Sequence, residues 1–69
     1  RDPMLQYLAG MACLKLQLWG KAQQLLTQAA LGLKDARLHR QAWRSLAALA
    51  EERGDTQTAA QAWKRAASG

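Results

Sequence analysis

The sequence predicts an all-α chain of four helices folded as two antiparallel pairs, and three observations carry that expectation. None of the 69 residues is Val or Ile, and Thr27, Thr56 and Thr58 are the only other β-branched ones; sheets are built chiefly from such residues. Leu, Ala, Gln, Lys and Arg dominate, and all are good helix formers. The one proline, Pro3, lies near the N-terminus, while Gly and Asp recur where helices would stop and start.

The elements follow in order. Asp2-Pro3 opens the first helix, with Asp as N-cap and Pro at the first helical position. Apolar residues then recur at Leu5, Leu8, Ala9, Ala12, Cys13 and Leu16, a helical spacing. A turn is expected around Gln17 to Gly20. The second helix, about 20–31, buries Ala22, Leu25, Leu26, Ala29 and Ala30, and Gly32 stands where a helix-ending glycine belongs. Asp35 caps a third helix, about 36–53, that carries Leu38, Ala42, Trp43, Leu46, Leu49 and Ala50. Gly54 ends it, and Asp55-Thr56 start a fourth helix reaching about Ala67.

Turns this short fold each pair into a hairpin, and the two hairpins read as copies of one unit. The second carries Trp43-x-x-Leu46-Ala47-x-x-Ala50, then Gly54, then Ala59-x-x-x-Trp63-x-x-Ala66. The first carries Gly10-x-x-Cys13, then Ala22-x-x-x-Leu26-x-x-Ala29. This frame resembles the tetratricopeptide repeat (TPR), whose small residues let helices approach and whose large ones fill the space between pairs. Its usual period is about 34 residues; here Ala22 and Ala59 lie 37 apart, and the excess is assigned to an added turn at the start of the third helix. The first unit departs from the frame at Gln6, where a large aromatic is expected. The resemblance implies two TPR-like hairpins stacked as a short right-handed solenoid. It makes the chain one domain, 1–69, with repeats at about 3–32 and 36–67, expected to be a piece of a longer protein. Gly10, Cys13, Ala22, Leu26, Ala29, Trp43, Leu46, Ala47, Ala59, Trp63 and Ala66 form its repeat core.

The segment Leu18-Trp19-Gly20-Lys21-Ala22-Gln23, preceded by Arg1-Asp2-Pro3-Met4-Leu5 and a Leu-Ala-Gly helix, is similar to the C-terminal repeat region of the HemY family. Those are bacterial inner-membrane proteins with two N-terminal membrane helices and a tetratricopeptide domain, associated with haem biosynthesis. The resemblance implies a non-catalytic protein–protein interaction scaffold in a membrane-tethered parent. Its partners are expected among the enzymes of the haem pathway, and its membrane helices lie outside this chain. It supplies no catalytic residues here.

Tetratricopeptide domains bind in the groove lined by the first helix of each pair. Carried onto this chain, that gives Met4, Tyr7, Met11, Leu14 and Lys15 on the first helix and Arg40, Gln41, Arg44, Ala48, Glu51 and Glu52 on the third. Met and Tyr are adaptable contact residues. Arg40 and Arg44, four apart on one face, could clamp a carboxylate. Met4, Tyr7 and Met11 could equally pack on a neighbouring repeat, which leaves a purely structural segment as an alternative function. Another alternative is a haem-handling domain using His39, the only histidine, with Met11 or Cys13. His39 is otherwise read as a surface residue and Cys13 as a small core residue.

No metal site and no cofactor are expected beyond that haem alternative. Trp43 and Trp63 are expected in the core and Trp19 in the inter-helix turn, rather than as stacking platforms for nucleic acid. The net charge of +5 is spread along the chain and reads as a solvated surface. There is no Ser/His/Asp set and no Gly-rich phosphate loop, and the adjacent Glu51 and Glu52 diverge on a helix, so no enzyme is expected. One cysteine allows no internal disulfide, and no stretch approaches the roughly 20 apolar residues of a membrane span. A two-repeat unit is short of the three or so that make a comfortable solenoid, so weak self-association is expected.

Overall fold

A computed structural model describes residues 2–68. Four helices make up the described chain: α1 Pro3–Lys15, α2 Trp19–Gly32, α3 Ala36–Glu52 and α4 Thr56–Ser68. Helix α1 packs on α2, α2 on α3, and α3 on α4.

Aspartates start three of the helices by accepting hydrogen bonds from otherwise orphaned first-turn amides. Met4 N–H donates to Asp2 at 2.9 Å, Leu38 N–H to Asp35 at 3.0 Å and Thr58 N–H to Asp55 at 3.2 Å. Helix α2 begins after Leu18 without a side-chain cap. The Thr58 hydroxyl first, and its backbone amide second, hold the Asp55 carboxyl below its ordinary 3.8.

The two inter-helix turns are one turn made twice. In the first, Gln17 N–H donates to the Leu14 carbonyl at 3.0 Å and Leu18 N–H to the Cys13 carbonyl at 2.9 Å. In the second, Gly54 N–H donates to Glu51 at 3.0 Å and Asp55 N–H to Ala50 at 2.8 Å. Each equivalent pair lies 37 positions apart, and each is the Schellman arrangement that satisfies the last carbonyls of a helix. Its left-handed residue is Gly54 (φ 76°) in the second copy and Gln17 (φ 61°) in the first. Gly32, expected as a helix-ending glycine, is instead the last residue of α2 and does not have a positive φ. It is small because Pro3 is close: a Cβ there would stand 2.8 Å from Pro3 Cγ. Helix α3 has 17 residues against 13 in α1, and the difference lies at its start, as Ala36 is eleven positions before Ala47 and Pro3 only seven before Gly10.

Nine of the thirteen buried hydrophobic residues are alanine; the others are Leu26, Leu46, Leu49 and Trp43. Small residues bring the helices close, and Gly10 is the limiting case. A Cβ on it would lie 2.9 Å from both Cγ and Cδ2 of the fully buried Leu26.

This contact sets which side of α1 meets α2. The stripe Leu5, Leu8, Ala9, Ala12 and Leu16 faces solvent, with Leu5, Leu8 and Leu16 63, 56 and 69% exposed. Helix α1 meets the rest of the molecule through Gly10, with Tyr7, Met11 and Leu14 packed on the core cluster. Trp63 is a second correction. Expected in the core, it is 41% exposed, and its indole N–H donates to Glu51 at 2.9 Å. Its copy in the first unit, Leu26, is buried because α1 and α3 both pack on α2, whereas α4 packs chiefly on α3.

Candidate functional site

Residues 37 positions apart show two kinds of burial. Positions buried toward the partner within a hairpin recur in both units, as at Gly10 and Ala47 or at Ala22 and Ala59. Positions buried between hairpins do not. Ala42, Leu46 and Leu49 of α3 are buried, while their copies Leu5, Ala9 and Ala12 on α1 are exposed. Conversely, Tyr7, Met11 and Leu14 are half-buried, while their copies Arg44, Ala48 and Glu51 are exposed. Two surfaces result: the outer face of α1, and a groove between α1 and α3.

The groove is bridged near one end by the Tyr7 hydroxyl, which donates to Gln41 Oε1 at 3.3 Å. At the other end lies a cleft of about 300 Å³, lined by Leu14 of α1, Trp19 at the start of α2, and Ser45, Ala48, Leu49 and Glu52 of α3. Of the residues expected in the groove, Leu14, Ala48 and Glu52 thus meet in one cleft. Tyr7, Met11 and Leu14 are partly consumed by packing on the core. Met4, Lys15, Arg40 and Arg44 are exposed. The contribution of Trp19 is not visible in the sequence, where it reads as a turn residue; it begins α2 and is 41% exposed. A wider hollow of about 460 Å³, between Gly20 and Arg53, is lined by Gln23, Gln24, Thr27 and Gln28. It offers amides and no aromatic wall.

Among the expected core residues, Gly10, Ala22, Leu26, Ala29, Trp43, Leu46, Ala47, Ala59 and Ala66 are buried, and Cys13 is half-buried with a free thiol. Trp43 carries unusual surroundings for a core residue. The Arg65 guanidinium sits 5.1 Å from its ring centroid, the His39 ring meets it edge-on at 6.2 Å, and its indole N–H has no acceptor. His39 is therefore half-buried against Trp43 rather than a free surface group. Among the described residues no three His, Cys, Asp or Glu side chains gather as a metal site would require. No helix of the described residues is long and apolar enough to cross a membrane.

The carboxylates are almost fully committed. Asp2, Asp35 and Asp55 cap helices, and Glu51 accepts from Trp63. Among the described residues Glu52 alone of the five has no hydrogen-bond partner and no ion pair, and it lines the groove cleft. Compared with family models, with curated proteins and with solved structures, the chain matches none.

Proposed function

We propose that this chain is a non-catalytic protein–protein interaction module made of two TPR-like helix pairs. The observation that supports this most is the exposed row Leu5, Leu8, Ala9, Ala12 and Leu16 on α1. A row of leucines that faces water on a small module marks an interaction surface. Its occupant is a further helix pair of the same kind, because Ala42, Leu46 and Leu49, the equivalents of Leu5, Ala9 and Ala12, are buried on α3, which packs on α2. The face then serves either docking of a partner or the stacking of neighbouring repeats.

In the absence of another occupant, a second copy is the nearest substitute, which makes sedimentation the direct test. The wild type should associate in a concentration-dependent manner, and Leu8→Glu with Ala12→Glu should be monomeric with unchanged helix content. Equal behaviour of the two forms would sink the α1 assignment. The charge is placed at Leu8 because it is exposed, whereas its neighbour Tyr7 packs on the core.

The narrower reading rests on the similarity of Leu18 to Gln23 to HemY proteins: a parent held in a bacterial inner membrane, with haem-pathway enzymes as partners. Affinity capture from bacterial membranes, comparing the wild type with the doubly charged variant, tests it. Selective recovery of a haem-pathway enzyme by the wild type supports the link. Recovery of other proteins alone removes the haem connection and leaves the docking face standing.

A further inference from the structure

We infer that the cleft at the end of the α1–α3 groove is a socket for an aliphatic ammonium group, the tip of a lysine side chain on a docked polypeptide. The walls supplied by Leu14, Ala48 and Leu49 suit an alkyl stem, and the Trp19 indole and the Glu52 carboxylate suit a cationic head. At about 300 Å³ the cleft lies at the bottom of the range for ligand sites and holds one side chain rather than a cofactor.

The charge around the cleft is what makes the choice. The chain carries ten basic residues against five acidic ones, yet among the described residues the carboxylate at this cleft accepts no hydrogen bond. The other four carboxylates are engaged within the fold. The adjacent cation, Arg53, is drawn to another element: its Nη1 donates to Gln23 Oε1 on α2 at 2.7 Å. The cleft spans both units, with Leu14 and Trp19 from the first and Ser45, Ala48, Leu49 and Glu52 from the second, so it has no second copy among these residues.

The inference rests on the reading of the chain as a polypeptide-docking module, and it is tested apart from it. The full chain is titrated by NMR with Nα-acetyl-lysine N-methylamide and with the norleucine analogue, which has the stem but no ammonium. The lysine probe should shift the Trp19 indole N–H and the Ser45 and Glu52 amides, saturating on the order of millimolar. The norleucine probe should bind about tenfold more weakly, a factor equal to about 1.4 kcal/mol. Glu52→Gln should reduce the lysine probe to the norleucine level, Glu52→Asp should keep part of the selectivity, and Trp19→Leu should weaken both probes. Equal binding of the two probes, no shift with either, or undiminished selectivity in Glu52→Gln would overturn the inference. Sedimentation of the Leu8 variant reads the outer face of α1 and is indifferent to the cleft, so the two failures are distinguishable.

Discussion

Gln17 and Gly54 hold the same position in the same turn, and only one is suited to it. A side chain at positive φ brings Cβ against the following carbonyl, at about 1–2 kcal/mol; glycine avoids this at the cost of greater freedom in the unfolded chain. Gln17→Gly should therefore stabilise the protein by roughly 0.5–1 kcal/mol, read as a higher urea midpoint, and Gly54→Ala should lower that midpoint. An unchanged midpoint in Gln17→Gly would mean that the first turn is not held as described. Asp55 gives a pH dependence. Its folded pKa is lowered from 3.8 by Thr58, so its contribution is present above the unfolded value and is lost as pH falls through the folded one. Asp55→Asn should flatten the loss of stability below pH 3.8, monitored by thermal melts across the acid range; a steepening would contradict the cap. At this scale the aspartate caps and Gly54 were legible, because their chemistry is local. Gln17 was not, since nothing in a glutamine advertises a left-handed turn.

Helix α1 shows where periodicity stops being informative. It is apolar on nearly every side, Leu5, Leu8 and Leu16 on one and Met4, Tyr7, Met11 and Leu14 on others, so counting large residues selects the wrong face. What orients it is close approach at Gly10, a contact between helices that the spacing within one helix does not encode. Gly10→Ala should thus destabilise by about 1–2 kcal/mol, as the clash with the immobile Leu26 outweighs the better helix propensity of alanine. Gly20→Ala meets nothing within 4 Å and should be neutral or stabilising by up to about 1 kcal/mol. The same substitution with opposite sign, measured by chemical denaturation, checks the packing of α1 on α2. Trp63 fails from the sequence for a related reason: the repeat frame gives its position, but whether that position is covered depends on a neighbouring layer.

The molecule as a whole is a slab of 28 × 27 × 15 Å with a core mostly of alanine. Alanine buries little area, so the hydrophobic contribution per residue is small, and like charges press against it. The net charge is +5, and the attraction of Arg53 for the Asp55 carboxylate offsets little of it. Raising salt to about 0.5 M, where the screening length falls to a few ångströms, should therefore raise the melting temperature; a fall would mean that attractive pairs, not repulsion, dominate. The all-α class and the helix count were legible at this scale because composition and turn residues fix them. The exposed faces were not, because exposure is a property of how many layers are present rather than of any one helix.

The duplicated turn also sets an order of events. Synthesis delivers the α1–α2 hairpin first, closed by an ill-suited Gln17 and entering a second helix that lacks an aspartate cap. The later hairpin has Gly54 and Asp55 at those two places. Of the two hairpins, the one made earlier is thus the one less able to hold its shape alone, and Leu26 and Ala30 stay partly wet until α3 arrives to cover them.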